Sequence, residues 1–575
     1  MRRTPTGWER IEWETALKLC AEKIQGCRLE PSSILYFHGE GAKGVLKQAG
    51  HLFFALLEST RVRGSFCDSA GYSACMKDFG SRETSDIETL LDARSIVNWG
   101  KDLSRSSVHM ASLVQKARQR GAEVLSLSPG SDLNNSLSDF QICIRPGTDR
   151  FLACAVIRLF IERGAISKEM LSHAGNWDEF QRLVLKQDLD DLLRTCCVDR
   201  EDAERVYDFY EQMHPAATII GAGVQRYSFG GENVRFINAL AMISGNIGIR
   251  GGGSHFHMNS LRNLNLTWTQ AAQSQKTRFL RMPLIGQEIA EAKSPPIRMA
   301  WIDGSNMVNQ APGSRQTAEA FEKIEFTVVV DAFMTDTASR ADLVLPSTLM
   351  LEQGDIVGSF MHDYVQYARP VLEPPGEARD DFQILTDLGA RLDPPIVLPD
   401  AEICMRESLK SPYLGITIEE LKERGFARAK RPFVAYEGLY FDHPDHKYRF
   451  PTELHDEQGP PDGYPLRLLS LVRRDIIHSQ FLPEEQKMPP KVWVSPDCPA
   501  LTEIDRSRSV SLVSPLGRLR VFLETLVGLH PEVVLYRRGD WMKLGGGINQ
   551  LIAPGLTDMG TGTVYYDQYV RLEND

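Results

Sequence analysis

Two short apolar runs, Arg298–Asp303 and Phe326–Asp331, constrain the fold of this chain more than any other feature. Hydrophobicity that is continuous over a few residues and rich in β-branched side chains is the pattern of strands buried on both faces of a parallel sheet. Each run ends in a polar or glycine-bearing turn, Gly304-Ser305-Asn306 after the first and Asp331-Ala332-Phe333-Met334-Thr335 after the second. A helical pattern over Gln316–Lys323 joins them, so the stretch Trp301–Gly358 is predicted to be a βαβ crossover. Ligands of open parallel sheets bind outside the carboxyl ends of the strands. Asn306, Asp331 and Thr335 are therefore expected at a nucleotide-binding edge, with nothing in them to say which nucleotide.

The same grammar recurs earlier in the chain. Ser33–His38 reads as a strand, followed by Gly39, Gly41 and Gly44 and a helix to about Leu57. That G-x-G-x-x-G match is weak alone, and a tight βα turn without a ligand explains it as well. After a loop of small residues at Arg63–Gly71 come the strands Ile96–Trp99, Glu123–Leu127 and Phe140–Ile144. Their ends carry Gly100-Lys101-Asp102, Ser128-Pro129-Gly130 and Pro146-Gly147-Thr148-Asp149, a second doubly wound domain with its own ligand edge. Residues 165–213 read as a helical cap. Thr218–Ile220 then leads into Gly221-Ala222-Gly223-Val224-Gln225-Arg226, with more glycine at residues 245–253. From Leu466 the pattern changes to six strands divided by Gly and Pro turns, which predicts a closed β-barrel.

At 575 residues the chain exceeds one core and suggests three or four domains. The expected boundaries are residues 1–62 with 285–400 for one α/β domain, 63–284 for the second, 401–465 as a linking segment and 466–575 as the barrel. A formal charge of −11 argues against nucleic acid as partner, since no basic excess exists to displace counterions. No run is apolar for the ~18–20 residues a membrane span needs, and the first residues lack a signal-peptide pattern. Cytoplasmic residence is the expectation. The ten cysteines fit neither a zinc site nor an iron–sulfur cluster by spacing, and nine of them are expected to be buried small hydrophobes.

Taken in order, these segments resemble the molybdopterin oxidoreductases of the dimethyl-sulfoxide-reductase superfamily. The resemblance is carried by the turns at residues 99–102, 127–129, 146–149, 221–226 and 245–248, by Asp331–Thr337 and Ala341–Pro346, and by Gly545–Gly547, Asn549 and Asp558 at the barrel end. It implies an α/β fold of two Rossmann-like domains plus a C-terminal barrel of the double-psi type. It also implies a bis-molybdopterin guanine dinucleotide cofactor carrying molybdenum or tungsten, each Rossmann-like domain holding one guanosine arm. A carboxylate can accept from the N1–H and N2–H₂ edge of guanine, and the resemblance puts Asp331 and Asp149 each at that contact or at a neighbouring one. The remaining cofactor contacts implied are Gly100, Asp102, Ser128, Gly147, Gly221, Gly223, Gln225, Gly304, Asn306, Thr335, Asp342, Asn549 and Asp558, with Arg473 and His478 matching the pterin region. The bland alternative is that the aspartates cap turns and Asn306 forms an Asx turn.

The resemblance also points to Cys67 as the protein ligand to the metal, since a thiolate suits a metal already bound by dithiolenes. A buried Cys67, or Ser65, Ser69 or Ser73 as ligand, are the alternatives. Asp68 follows where formate dehydrogenases of the family carry His, which tells against formate and offers a proton acceptor beside the metal; a surface or capping aspartate is the alternative. Family members with a Cys ligand usually begin with a [4Fe–4S] domain, whereas this chain starts at the matching Gly7–Ile11 segment. No iron–sulfur cluster is expected in this chain, and an iron–sulfur or other electron-transfer subunit is the expected partner. The implied activity is two-electron redox of a small molecule. A cofactor-less structural subunit, or a hydratase or transhydroxylase on the same cofactor, are the other readings. His255-Phe256-His257 is expected to line the substrate funnel or the surface, and Trp541, Tyr565 and Tyr566 to belong to the barrel.

Overall fold

The computed structural model describes residues 1–39, 43–130, 134–270 and 277–575, so Gly41 of the first glycine motif lies outside the described residues. The chain divides into two compact units, Met1–Arg63 with Asn259–Arg431, and Gly64–Met258 with Pro432–Asp575.

The first unit is built on an eight-stranded sheet. Its order is Phe279–Arg281, Thr60–Arg63, Ile34–His38, Met299–Asp303, Phe326–Asp331, Leu343–Pro346, Arg2–Thr4, Gly7–Glu9. The first six are parallel, and the last two form an antiparallel hairpin on the edge. Trp301 pairs in register with Tyr36 on one side and Val328 on the other. All three are buried with Phe53 and Phe54 of the helix Ala49–Leu56 and with Leu385 and Leu388 of Asp381–Gly389. The crossover is as expected, its helix running Ser314–Glu322. The strands Thr60–Arg63 and Phe279–Arg281 and the N-terminal hairpin are three or four residues long and arginine-bearing, too short for periodicity to reveal. A separate antiparallel sheet joins Asp355–Val357, Tyr364–Ala368 and Phe426–Arg428.

In the second unit five parallel strands lie in the order Phe140–Cys143, Glu123–Ser128, Ser95–Trp99, Ala216–Ile220, Ser254–His255. The helices Asp149–Arg163 and Gly230–Ile243 supply much of one core around Trp99. The cap at 165–213 is four helices, Lys168–Ser172, Trp177–Leu185, Leu189–Cys196 and Arg200–Glu211. The six strands from Leu466 close a barrel. Two parallel pairs, Leu466–Leu471 with Val533–Arg537 and Lys491–Val494 with Gly517–Thr525, sit within otherwise antiparallel pairing.

Each α/β sheet reverses its strand order once, the place where such sheets open a ligand crevice. In the first unit the reversal lies between Ile34–His38 and Met299–Asp303, in the second between Ser95–Trp99 and Ala216–Ile220. Glycine meets glycine at both. A side-chain carbon on Gly39 would overlap the Gly304 carbonyl, and one on Gly221 would overlap the Gly100 carbonyl. The two loops can cross this closely only without side chains. Among the described residues no helix is long and apolar enough to cross a membrane.

Candidate functional site

The loop after Gly64 presents an exposed thiol, that of Cys67. Ser65 Oγ accepts from the Cys67 N–H at 2.7 Å and, more distantly, from Asp68 N–H at 3.4 Å, so this serine shapes the turn. Ser65 N–H donates to the Thr561 carbonyl, and Thr563 Oγ1 donates to the Ser65 carbonyl at 3.0 Å. Gln225 bridges the loop to the following helix: its Nε2 donates to the Cys67 carbonyl and its Oε1 accepts from Gly71 N–H at 2.8 Å. Cys143 and Cys197 are also exposed, so seven of the ten thiols are buried rather than the nine expected.

Two further groups converge beside this loop. Lys101, 5% exposed, places Nζ 3.4 Å from His257 Nε2. Its carbonyl accepts from both Asn98 Nδ2 and Asn134 Nδ2 at 2.8 Å, which fixes the backbone under it. Burial pulls the Lys101 ammonium down to about 8, against the opposing charge of Cys67. His257 Nδ1 lies 3.8 Å from Asp68 Oδ2. Burial and then Lys101 hold His257 below its ordinary value, with Asp68 opposing them, so the ring is neutral at pH 7.

Arg226 and Arg538 make this wall cationic. Burial works against Arg226, but Tyr566, Cys67, Tyr565 and Asp68 outweigh it and raise its affinity for the proton. Its guanidinium lies over the rings of Tyr565 and Tyr566, at 5.3 and 5.8 Å from their centroids. Arg538 is pulled down by burial and by the like charge of Arg226. One nitrogen donates to the Ser470 carbonyl at 2.9 Å, while Nε is buried without a hydrogen-bond partner among the described residues. Desolvation, Arg538 and Arg226 together push His478 down to about 3.

The other expected residues divide by what their side chains already hold. Gly100, Gly221 and Gly223 line the crossing in the second unit, and Gly304 the crossing in the first. Asp149 opens the helix Asp149–Arg163, beside Gly147 in its left-handed turn, and burial raises it to about 7. Asp331, at the strand end, accepts from Phe333 N–H at 3.0 Å and is raised to about 6, again by burial. Ser128 Oγ accepts from Gly130 N–H and Thr335 Oγ1 from Ala338 N–H. Asn306 Oδ1 accepts from both Thr337 N–H and Oγ1. Asp102 caps the short helix Leu103–Ser106 and pairs with Arg105 at 2.6 Å. Asp558 accepts from Gly231 and Glu232 N–H, both at 2.9 Å, capping Gly230–Ile243. Asp342 accepts from Thr327 N–H and Oγ1 at the amino ends of the strands, the edge opposite Asp331. Asn549 is buried in the turn Ile548–Leu551, and Arg473 pairs with Asp540.

Sequence reasoning missed Lys101, Arg226 and Arg538 as chemistry. The available signal for Lys101 was a lysine directly at a strand's carboxyl end. His255 is 1% exposed, its Nε2 on the Gly252 carbonyl at 3.1 Å. That corrects the surface alternative for His255, and its partner in the motif, His257, faces the thiol loop's Asp68. Tyr565, Tyr566 and Trp541 are buried, the tyrosines in the barrel core.

The profile of the family described as molybdopterin oxidoreductase matches residues 1–391. The chain belongs to that family. It is 29% identical to "Probable oxidoreductase YyaE" of Bacillus subtilis, covering 98% of this chain and 89% of that protein. It is 27% identical to "F420-dependent formate dehydrogenase subunit alpha" of Methanocaldococcus jannaschii over 56% of this chain and 50% of that one. The fold is similar to that of acetylene hydratase from Pelobacter acetylenicus, with a TM-score of 0.86 at 17% identity, over all of this chain and 91% of the other. As a molybdopterin oxidoreductase, the chain is of a kind that binds molybdenum or tungsten through a pterin.

Proposed function

We propose that this molybdopterin oxidoreductase is a catalytic chain that binds molybdenum or tungsten through two pyranopterin guanine dinucleotides, with Cys67 as protein ligand. It oxidises or reduces a small molecule by two electrons, in the cytoplasm, delivering them to or drawing them from an iron–sulfur or other electron-transfer subunit. The observation that carries this reading is the exposed Cys67 thiol set beside buried cations. A phosphate-bearing, dithiolene-bearing group fits that donor set: Arg226 and Arg538 repel each other until an anion lies with them, and Arg538 Nε keeps a buried donor to offer. The glycine crossings let backbone N–H groups reach a diphosphate, and Asp149 and Asp331 offer guanine the carboxylates it pairs with.

When bound, the metal supplies the change of oxidation state. The chain's own groups handle the proton. Neutral His257 accepts at Nε2 from Lys101 Nζ and presents Nδ1 toward Asp68, so a proton can move along Lys101, His257 and Asp68 beside Cys67. Formate is not the substrate proposed, because Asp68 stands where formate dehydrogenases carry His. Asp102 and Asp558 are assigned to helix caps, and Asp342 to holding Thr327 at the strand ends, rather than to the cofactor.

Metal and nucleotide analysis of purified full-length protein tests this reading. Molybdenum or tungsten with guanine nucleotide released by acid is the expected result, and neither metal nor pterin would overturn it. The carboxylate next to Cys67 favours one second reading, a hydration on the same cofactor, in which Asp68 takes a proton from water as its oxygen adds and returns that proton to the substrate. Turnover with no electron acceptor present would select it.

A further inference from the structure

Asp68 occupies the N-cap position of the helix Ser69–Phe79, where an aspartate ordinarily accepts from a backbone N–H two or three residues into the helix. Its side chain makes no capping bond. The Gly71 N–H, the usual target, donates instead to Gln225 Oε1 at 2.8 Å. The other end of the same amide donates to the Cys67 carbonyl. Asp68 meanwhile faces His257 at 3.8 Å, and its charge also raises the Tyr72 hydroxyl, after burial. Gln225 is 2% exposed. Gly230 packs so tightly on its carbonyl that a side-chain carbon there would overlap it.

We propose that Gln225 is a positioning residue that caps this helix in place of Asp68, keeping the Asp68 carboxylate turned toward His257 beside the thiol. The proposal rests on the reading of the Cys67 loop as the reaction centre. Without the glutamine amide, Gly71 N–H becomes an orphan at a helix end, and the acceptor that ordinarily takes it is the N-cap aspartate. The carboxylate then leaves His257. Gln225 also follows directly on the turn of Gly221 and Gly223, so a single side chain joins that turn to the thiol loop.

The test is amide hydrogen exchange at Gly71 in full-length protein purified without molybdenum or tungsten, as wild type, Gln225→Ala, Asp68→Ala and the double variant. Asp68→Ala is expected to leave Gly71 within about twofold of wild type, and Gln225→Ala to raise exchange only modestly because Asp68 takes over. The double variant should exchange about tenfold faster than Gln225→Ala. Fast exchange in Asp68→Ala alone, or a double variant no faster than Gln225→Ala, overturns the proposal. If Gln225→Ala does not fold, Gln225→Glu keeps the acceptor and should leave Gly71 protected, and an unprotected Gly71 there is the contrary result. In metal-loaded enzyme the kcat losses of Gln225→Ala and Asp68→Ala should not add. These exchange rates need no metal, so a wild type lacking molybdenum and tungsten refutes the proposed function while the capping result stands on its own.

Discussion

Gly221 and Gly223 sit two residues apart in one turn, yet alanine should act on them in different ways. A side-chain carbon on Gly221 would overlap the carbonyl of Gly100 and crowd the Lys101 N–H, all backbone atoms. Backbone cannot swing aside as a lysine tip can, so the two central strands must part. The Gly221 N–H bond to the Trp99 carbonyl, 2.7 Å long, is strained with them. Overpacking costs about 1–3 kcal/mol and the hydrogen bond about 1 more. At Gly223 the same carbon meets only the Tyr566 ring at 3.7 Å and the Gly100 carbonyl oxygen at 3.9 Å, ordinary contacts. Gly223→Ala should therefore shift stability by less than about 0.5 kcal/mol. Two compact units need not unfold together, so the assay is hydrogen exchange of the strand Ala216–Ile220. A loss of about 3 kcal/mol accelerates exchange by about two orders of magnitude in Gly221→Ala. If Gly223 is glycine for a diphosphate's approach, Gly223→Ala should fold normally and load less cofactor. Equal destabilisation by the two variants, or none by Gly221→Ala, would refute the reasoning.

Three further outcomes are expected. Asp149, raised by burial from 3.8 to about 7, binds its proton more tightly folded than unfolded. Its stabilising contribution is complete below pH ~4 and lost as pH rises through about 7, at most about 4 kcal/mol; urea titrations of cofactor-free protein should show that slope, flattened in Asp149→Asn. Arg538→Leu removes a buried like charge, so the cofactor-free protein should melt no lower than wild type while cofactor loading falls; a lower melting temperature would make the arginine structural. Asp331→Asn leaves the strand end folded but replaces an acceptor with a donating amide, and bound guanine nucleotide should fall by about tenfold or more.

How much could be read in advance follows from where each signal lives. The barrel strands alternate or run apolar over four to nine residues, and all six were legible. The crossover Met299–Asp303 to Phe326–Asp331 was legible for the same reason. The convergence of Gly39 on Gly304, and of Lys101 on His257, depends on strand order, which no local pattern carries. Asp68 illustrates the gap most clearly. Its sequence position is that of a cap, and only the arrival of Gln225 from another strand's turn shows that the capping bond is made elsewhere. His255 and His257 stand two residues apart, but the strand there is only Ser254–His255, so strand alternation does not place both on one face.

The most direct test of the central claim is X-ray absorption at the metal edge of wild type and Cys67→Ser, with both loaded with molybdenum or tungsten. The expected result is one sulfur neighbour fewer in Cys67→Ser, with guanine nucleotide content unchanged and turnover lost. An identical sulfur shell in the two proteins would contradict Cys67 as the ligand, and the absence of molybdenum and tungsten from both would contradict the proposed function itself.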